Sequence, residues 1–489
     1  MMTDIELSDR VRHALQLQPT AEQEHAIRVF GAFMTHADNH TVMIMRGAAG
    51  TGKTSVAGAF VRSMVAMGQK VMLLAPTGRA AKVFALNSGH AAFTIHRRIY
   101  RQQSFTGQMT GFLLGDNLHR DTLFIIDEAS MIANEGEGDA RFGSGRLLDD
   151  LVSFVYSGQN CRMLLIGDTA QLPPVGEEES PALNADFMAG YGLHVMHCQL
   201  DEVLRQGQES GILYNATVVR RMIGRDGETL LPKVRFEGFA DIHLMPGDEL
   251  IESLDASYSR VGYDETIVLT RSNKRANIYN QGIRNSVLGR EEELSSGDML
   301  MVVRNNYYWT EQQKVGLDFL ANGDRARVRR VRNYRNLYGL RFADVALTLP
   351  DYDDRELTCT VVLDSLRSDA PSLTREQSDA LFQGVSDDYA DIPLKHDRMM
   401  KVRDDAYYNA LQVKYAYAVT CHKAQGGQWE HVYVDQGYMT DDMVTPDYLH
   451  WLYTAFTRAT SHLFLVNWPK TQVEIYHAAH DEHRRRLGN

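Results

Sequence analysis

Gly47-Ala-Ala-Gly-Thr-Gly-Lys-Thr54 is a glycine-rich loop whose neighbours decide what it does. Residues 41–45, TVMIM, form a short apolar run suited to a buried strand, and residues 55–66 carry helix-compatible apolar spacing. A loop between strand and helix aims its N–H groups and the helix N-terminus at one point, which favours an anion. Gly47, Gly50 and Gly52 let the backbone curl there, with Ala48, Ala49 and Thr51 completing the cradle. Lys53 then reaches the β- and γ-phosphates of a nucleotide, and the Thr54 hydroxyl ligates Mg²⁺. The pattern predicts a P-loop α/β sheet that takes ATP and Mg²⁺.

Downstream, residues 122–126 are a second buried-strand run and end in Asp127-Glu128-Ala-Ser130. An acid at the C-terminal edge of a strand parallel to the first sits where open α/β sheets bind ligands. Asp127 can hold Mg²⁺ through water, and Glu128 can accept a proton from the water attacking the γ-phosphate. A third run, residues 162–166, ends in GDTAQLPPV, from which Gln171 can contact the γ-phosphate and report its loss.

The chain of 489 residues is long enough for roughly three domains. Its 44% apolar residues and lack of a long apolar run indicate a globular protein with no membrane span. The start, MMTDIELSDRVRH, has acids in place of a basic leader, so a cytoplasmic location is the expectation. Cys161, Cys198, Cys359 and Cys421 form no CxxC pair, which argues against a zinc ribbon or a disulfide framework. The net charge of −12 requires that any nucleic-acid contact be local. Residues 325–335, with six arginines, contrast with the acidic 351–354 and 386–391 and leave room for a basic patch.

A second set of buried-strand runs (residues 266–270, 415–419, 431–435 and 463–466), with helical spacing over 446–459, forms another α/β core without a P-loop. It is interrupted by the polar stretch Val419-Thr-Cys-His-Lys-Ala-Gln-Gly426.

Taken in order, APTGRAAKV (75–83), TIHR (94–97), IIDEAS, GDTAQLPPV, LDEVLRQ (200–206), VTCHKAQG and YTAFTRAT (453–460) resemble the motif set of superfamily 1 helicases, in the RecD-like and Dda-like branch, over residues 20–466. The resemblance implies two RecA-like domains, at 1–199 and at 200–294 with 404–489, that close over ATP. It makes Arg205 and Arg458 arginine fingers, which supply positive charge where the γ-phosphate develops negative charge. It assigns Thr77, Arg79, Thr94 and His96 on the first core, and Thr420, His422 and Lys423 on the second, to the nucleic-acid backbone, with little sequence preference. Gln425 and Gly426 lie near the nucleotide. Gln23 stands where the family reads adenine, although Thr20 and Gln23 also have the spacing of a helix capping box.

Two insertions interrupt these cores. In the first insertion, residues 97–120, the stretch 100–114 alternates in polarity around Thr106-Gly107, as a β-hairpin does; in the family it is a strand-separating pin, for which Phe105 or Phe112 could stack on the last base pair. An ordinary surface hairpin fits the same residues. Residues 133–146 read as a loop without chemistry. Residues 295–403 correspond to the family's SH3-like barrel, with an Asn322-Gly323 hairpin turn; Ala326 stands where glycine is usual, and 369–400 add an acidic helical extension. The arginine-rich strand fits either DNA or plain solvent.

The expected activity is an ATP-dependent helicase or translocase, monomeric, acting on single-stranded and forked DNA, and serving replication, repair or recombination proteins. Movement from 5′ to 3′ is implied by the resemblance alone. An RNA-directed relative, a 3′-to-5′ UvrD-like enzyme, and a P-loop ATPase switch that unwinds nothing remain as alternatives.

Overall fold

The P-loop strand Thr41–Gly47 is apolar on both faces because both are covered: Val42 and Ile44 enter one core, Met43 and Met45 the other. Two-sided burial of this kind marks a parallel strand. The computed structural model describes residues 3–102, 112–134, 142–204, 209–223, 230–313, 316–317 and 319–474. In it the strand pairs in parallel with Arg162–Gly167 on one side and His194–Leu200 on the other. Thr122–Ile126, Lys70–Ala75 and Ala92–Thr94 continue beyond Arg162–Gly167 to complete six parallel strands. Helices Asp4–Leu15, Ala21–Thr35 and Lys53–Ala66 pack on the Met43 face, and Leu147–Ser157 on the Ile44 face.

The second sheet is also all parallel, in the spatial order Ala418–Thr420, Thr266–Thr270, Trp429–Asp435, Ala459–Val466, Ile242–Met245. Among the described residues it carries no glycine-rich phosphate loop.

Between Thr266–Thr270 and Ala418–Thr420 the chain builds a closed five-stranded barrel from Met299–Val302, Arg325–Leu337, Leu340–Leu349, Arg355–Val362 and Leu411–Tyr415. Three sequence expectations change here. Residues 415–419 are two strand ends, because Leu411–Tyr415 closes the barrel beyond residue 403 and Ala418–Thr420 opens the second sheet. Asn322-Gly323 is a turn, with Gly323 at φ +97°, in the long link between two paired strands that includes the helix Tyr308–Gln313. The tight hairpin is at Tyr338-Gly339, both at positive φ, between the paired Leu337 and Leu340. Ala326 lies inside the barrel opposite Leu300, where a small apolar side chain fits without strain.

The exit from the second core and the return to it are tied together. Arg284 is buried and donates to both oxygens of Asp298 at 3.0 Å, and Arg290 donates to the same carboxylate at 2.7 Å. The Tyr417 hydroxyl, on the returning segment, donates to Asp298 at 3.0 Å. The acidic extension forms helices Arg375–Asp388 and Lys395–Arg403, which bury Leu381, Val385 and Val402 against Leu340, Phe342 and Val362 at one end of the barrel.

Candidate active site and nucleic-acid face

Gly50 and Gly52 adopt φ of +76° and +82°, and Gly52 caps the helix Lys53–Ala66, so the loop wraps as its spacing predicts. Lys53 Nζ donates to the carbonyls of Gly47 at 2.6 Å and Ala48 at 2.9 Å, and Thr51 Oγ1 donates to Ala48 O at 2.8 Å. Gln23 is engaged by the protein itself. Its Oε1 accepts from Thr20 N and its N donates to Thr20 Oγ1, the complete capping box, while Nε2 donates to Thr51 O at 2.9 Å. A base would have to displace that brace before Gln23 could read it.

Asp127 follows the strand Thr122–Ile126, with its N–H held by Leu74 O at 3.0 Å. Burial, followed by the neighbouring Glu128 charge, pushes its carboxyl up to about 7. Glu128 sits at φ +52°, a left-handed conformation uncommon for a side-chain-bearing residue. Gln171 is buried and its Oε1 has no hydrogen-bond partner among the described residues.

A cleft of about 440 Å³ gathers the loop residues Ala48, Ala49, Gly50, Gly52, Lys53 and Thr54 with Asp127, Glu128, Gln171, Gly426 and Arg458. Arg458 is buried, and its guanidinium donates to Thr454 O, Gly427 O and Thr457 Oγ1. It makes no ion pair among the described residues, so its positive charge is uncompensated locally. Gln425 lies just behind, donating through Nε2 to Leu172 O at 2.6 Å. Gly426 needs its bare α-carbon: at φ +71°, a Cβ there would stand 3.0 Å from Ala80 Cβ and 3.1 Å from Thr77 Oγ1. Arg205 lies outside the described residues.

Tyr453, buried against the P-loop, is a residue to which the sequence assigned no role. Its hydroxyl accepts from Ala49 N at 2.9 Å and donates to Asp168 at 2.5 Å, linking the P-loop, the second core and the loop before Gln171. Thr454 Oγ1 accepts from Leu172 N at 2.8 Å beside it. The sequence signal was its place as the first residue of YTAFTRAT, on the buried helix Pro446–Phe456.

The expected nucleic-acid residues separate into two groups. Thr77 and Thr94 are helix N-caps, accepting from Ala80 N at 3.2 Å and Arg97 N at 3.4 Å. Arg79 departs from the expectation. Its guanidinium lies 4.4 Å from the Trp429 ring centroid, donates to Gln428 O, and faces Glu265 at 3.7 Å and Asp351 at 4.0 Å. Burial, aided by Arg325, lowers its pKa to about 10. It fastens the first core to the second core and the barrel. His96 packs against Tyr100, Phe142 and Phe319, and burial lowers its pKa to about 4, so at neutral pH it offers a polar edge without charge. On the second core, Thr420 is half-buried and His422 exposed. Lys423 is half-buried with no hydrogen bond or ion pair among the described residues, and burial lowers its ammonium to about 8.

The hairpin expectation is corrected at Phe112. Tyr100–Gln102 pairs antiparallel with Phe112–Leu114, but Phe112 is buried, 5.0 Å from the Phe142 ring and 4.5 Å from that of Tyr307. A ring enclosed by other rings cannot stack on a base pair. Phe105 lies outside the described residues.

The chain matches the model of an AAA domain over residues 18–222 and that of a UvrD-like helicase C-terminal domain over residues 415–466. It is 36% identical over 137 residues to the ATP-dependent RecD2 DNA helicase of Deinococcus radiodurans, covering 28% of this chain and 16% of that one. It is 23% identical over 299 residues to the ATP-dependent DNA helicase dda of Enterobacteria phage T4, covering 58% of this chain and 60% of that one. The chain thus spans about a sixth and three fifths of these two relatives. A crystal structure of a Pif1 helicase from Bacteroides in complex with ADP-AlF3 and ssDNA aligns over 96% of this chain and 97% of its own, at 15% identity and a TM-score of 0.47.

Proposed function

Because the chain belongs to the superfamily 1 helicases, in their RecD-like branch, we propose that it is an ATP-driven motor that moves 5′ to 3′ along single-stranded DNA and separates duplex ahead of it. The observation that carries this is the shared cleft: the P-loop, Asp127, Glu128 and Gln171 come from one core, Arg458 and Gly426 from the other. A site split between two bodies couples chemistry to their relative position.

The residues present fit Mg²⁺-ATP. The P-loop N–H groups and Lys53 would take the phosphates, with Lys53 exchanging its two carbonyl acceptors for phosphate oxygens. Thr54 and Asp127 would hold Mg²⁺, which neutralises phosphate charge when bound. Glu128 orients water and accepts its proton. Arg458 adds positive charge opposite the P-loop, and Gln171 passes the state of the γ-phosphate to Leu172, which Gln425 and Thr454 hold from the second core. Gln425 is two residues from Lys423, which grips the DNA backbone. Thr77, Thr94, Thr420 and His422 line the same path, whereas Arg79 acts as a fastener beneath it.

The test is unwinding of two partial duplexes, one with a 5′ and one with a 3′ single-stranded tail, with Lys53→Ala as control. Unwinding from the 5′ tail alone is expected. Unwinding from the 3′ tail alone overturns the direction, and ATP hydrolysis indifferent to DNA overturns the motor in favour of a switch.

A further inference from the structure

A second chamber, about 480 Å³, adjoins the P-loop cleft at Gln171. Gln171 lines both. Its walls include Arg46, Ser130, Asp168 and His450, so it is formed by the P-loop strand, the segment after Glu128, the loop carrying Gln171 and, from the second core, the helix Pro446–Phe456. Three buried polar atoms on these walls have no hydrogen-bond partner among the described residues: Arg46 Nε, Ser130 Oγ and Gln171 Oε1. Ser130 and Gln171 are 1% and 6% exposed. Three such groups on the walls of one chamber suit a polar occupant.

The occupant must suit the donors. Arg46 makes no ion pair among the described residues, and the Ser130 hydroxyl is free to donate. The Gln171 amide, turned by half a revolution, presents N–H₂ in place of its oxygen. One acid, Asp168, also lines the chamber; its Oδ1 accepts from Ala170 N and its Oδ2 from the Tyr453 hydroxyl, which spreads its charge without removing it. Glu178, Glu179 and Asp186, exposed at the mouth, repel an anion held too long. Donors inside, with one hydrogen-bonded acid among them and further acids at the rim, describe a site that is entered readily and left quickly, which conduction requires.

We infer that this chamber is the exit for inorganic phosphate: the γ-phosphate, once cleaved, passes Gln171, is met by Arg46 and Ser130, and leaves between the acids. This rests on the chain being an ATPase. His450 closes one wall from the second core, its Nδ1 donating to the carbonyls of Ala170 at 2.9 Å and Gln171 at 3.1 Å. Separation of the cores therefore opens the exit, and phosphate release is tied to the mechanical step.

The experiment compares, in the full chain with single-stranded DNA, the cleavage rate by chemical quench with the appearance of free phosphate reported by a fluorescent phosphate sensor. Arg46→Met removes the guanidinium, Arg46→Lys restores a charge, and Ala185→Trp fills the chamber from a half-buried wall position without touching the donors. Cleavage should be unchanged in all three, while release slows about tenfold in Arg46→Met and Ala185→Trp, as loss of a charge-assisted contact implies, and recovers in Arg46→Lys. Release that keeps pace with cleavage in both Arg46→Met and Ala185→Trp overturns the chamber alone. A wild-type protein that cleaves no ATP overturns the functional reading first, a result that is separately visible in the quench.

Discussion

Lys423 carries a charge that the free protein does not balance. Its ammonium is half-buried without a partner among the described residues, and burial brings it to about 8 from the ordinary 10.5. A lysine whose folded pKa is lowered binds fewer protons folded than unfolded between about 8 and 10.5, so stability rises with pH across that window and is lowest below it. Lys423→Met should therefore raise the melting temperature at pH 7 while weakening single-stranded DNA binding, and a fall in both would remove the lysine from the DNA path. Wild-type affinity should also drop as pH rises through about 8, a step absent in Lys423→Met. Arg458 sits in the opposite situation, since its donors are taken up by carbonyls and a hydroxyl while its charge faces the cleft. Arg458→Ala is expected to lower turnover by about 10³ with ADP affinity nearly intact. Loss of ADP binding in a folded variant would mean that the arginine shapes the cleft and does not act on the γ-phosphate.

At the scale of elements, strands buried on both sides announced themselves by composition: 41–45, 122–126 and 162–166 were legible because one apolar run forms one strand. Barrel strands were not, since their partners are distant. Leu411–Tyr415 pairs with residues about fifty and a hundred positions earlier, and nothing local separates it from Ala418–Thr420. The separation is made by Asn280, buried on another helix. Its Oδ1 accepts from Tyr417 N at 3.1 Å and Ala418 N at 2.8 Å, and its Nδ2 donates to Tyr415 O at 3.3 Å and Ala418 O at 2.8 Å. Asn280→Ala would strand these backbone groups without water and should cost about 3 kcal/mol in urea unfolding; a cost under about 1 kcal/mol would show that the crossover holds without it. The same distance effect hid Arg79 and Phe112. Each stands in a stretch whose motif or alternation suggests an outward role, and each is claimed by a residue far along the chain, Trp429 for one and Tyr307 for the other.

For the whole molecule the question is what holds two separately folded sheets at a working distance. The candidate cleft residues were legible because motif order identifies them. Their coupling was not, because it runs through hydrogen bonds between segments some 250 to 400 positions apart. Among these links, Ala49 N–H to Tyr453 to Asp168 is the one that reaches the P-loop itself. Tyr453→Phe keeps the ring and its packing on the apolar helix but deletes the oxygen, leaving Asp168 Oδ2 without its donor and Ala49 N–H without its acceptor. The P-loop belongs wholly to the first core, so ADP affinity should stay within about twofold. Positioning of Arg458 should suffer instead, because it lies just past the end of the helix Pro446–Phe456 that carries Tyr453 and is tied back to that helix through Thr454 O. Two hydrogen bonds at about 1 kcal/mol each correspond to a shift of roughly tenfold or more in the balance between docked and separated cores. The expected result is a turnover about tenfold lower with and without DNA, and a wider distance between fluorophores placed on the two sheets. Unchanged turnover and distance would show that the Thr454 and Gln425 contacts on Leu172 suffice to keep the cores together.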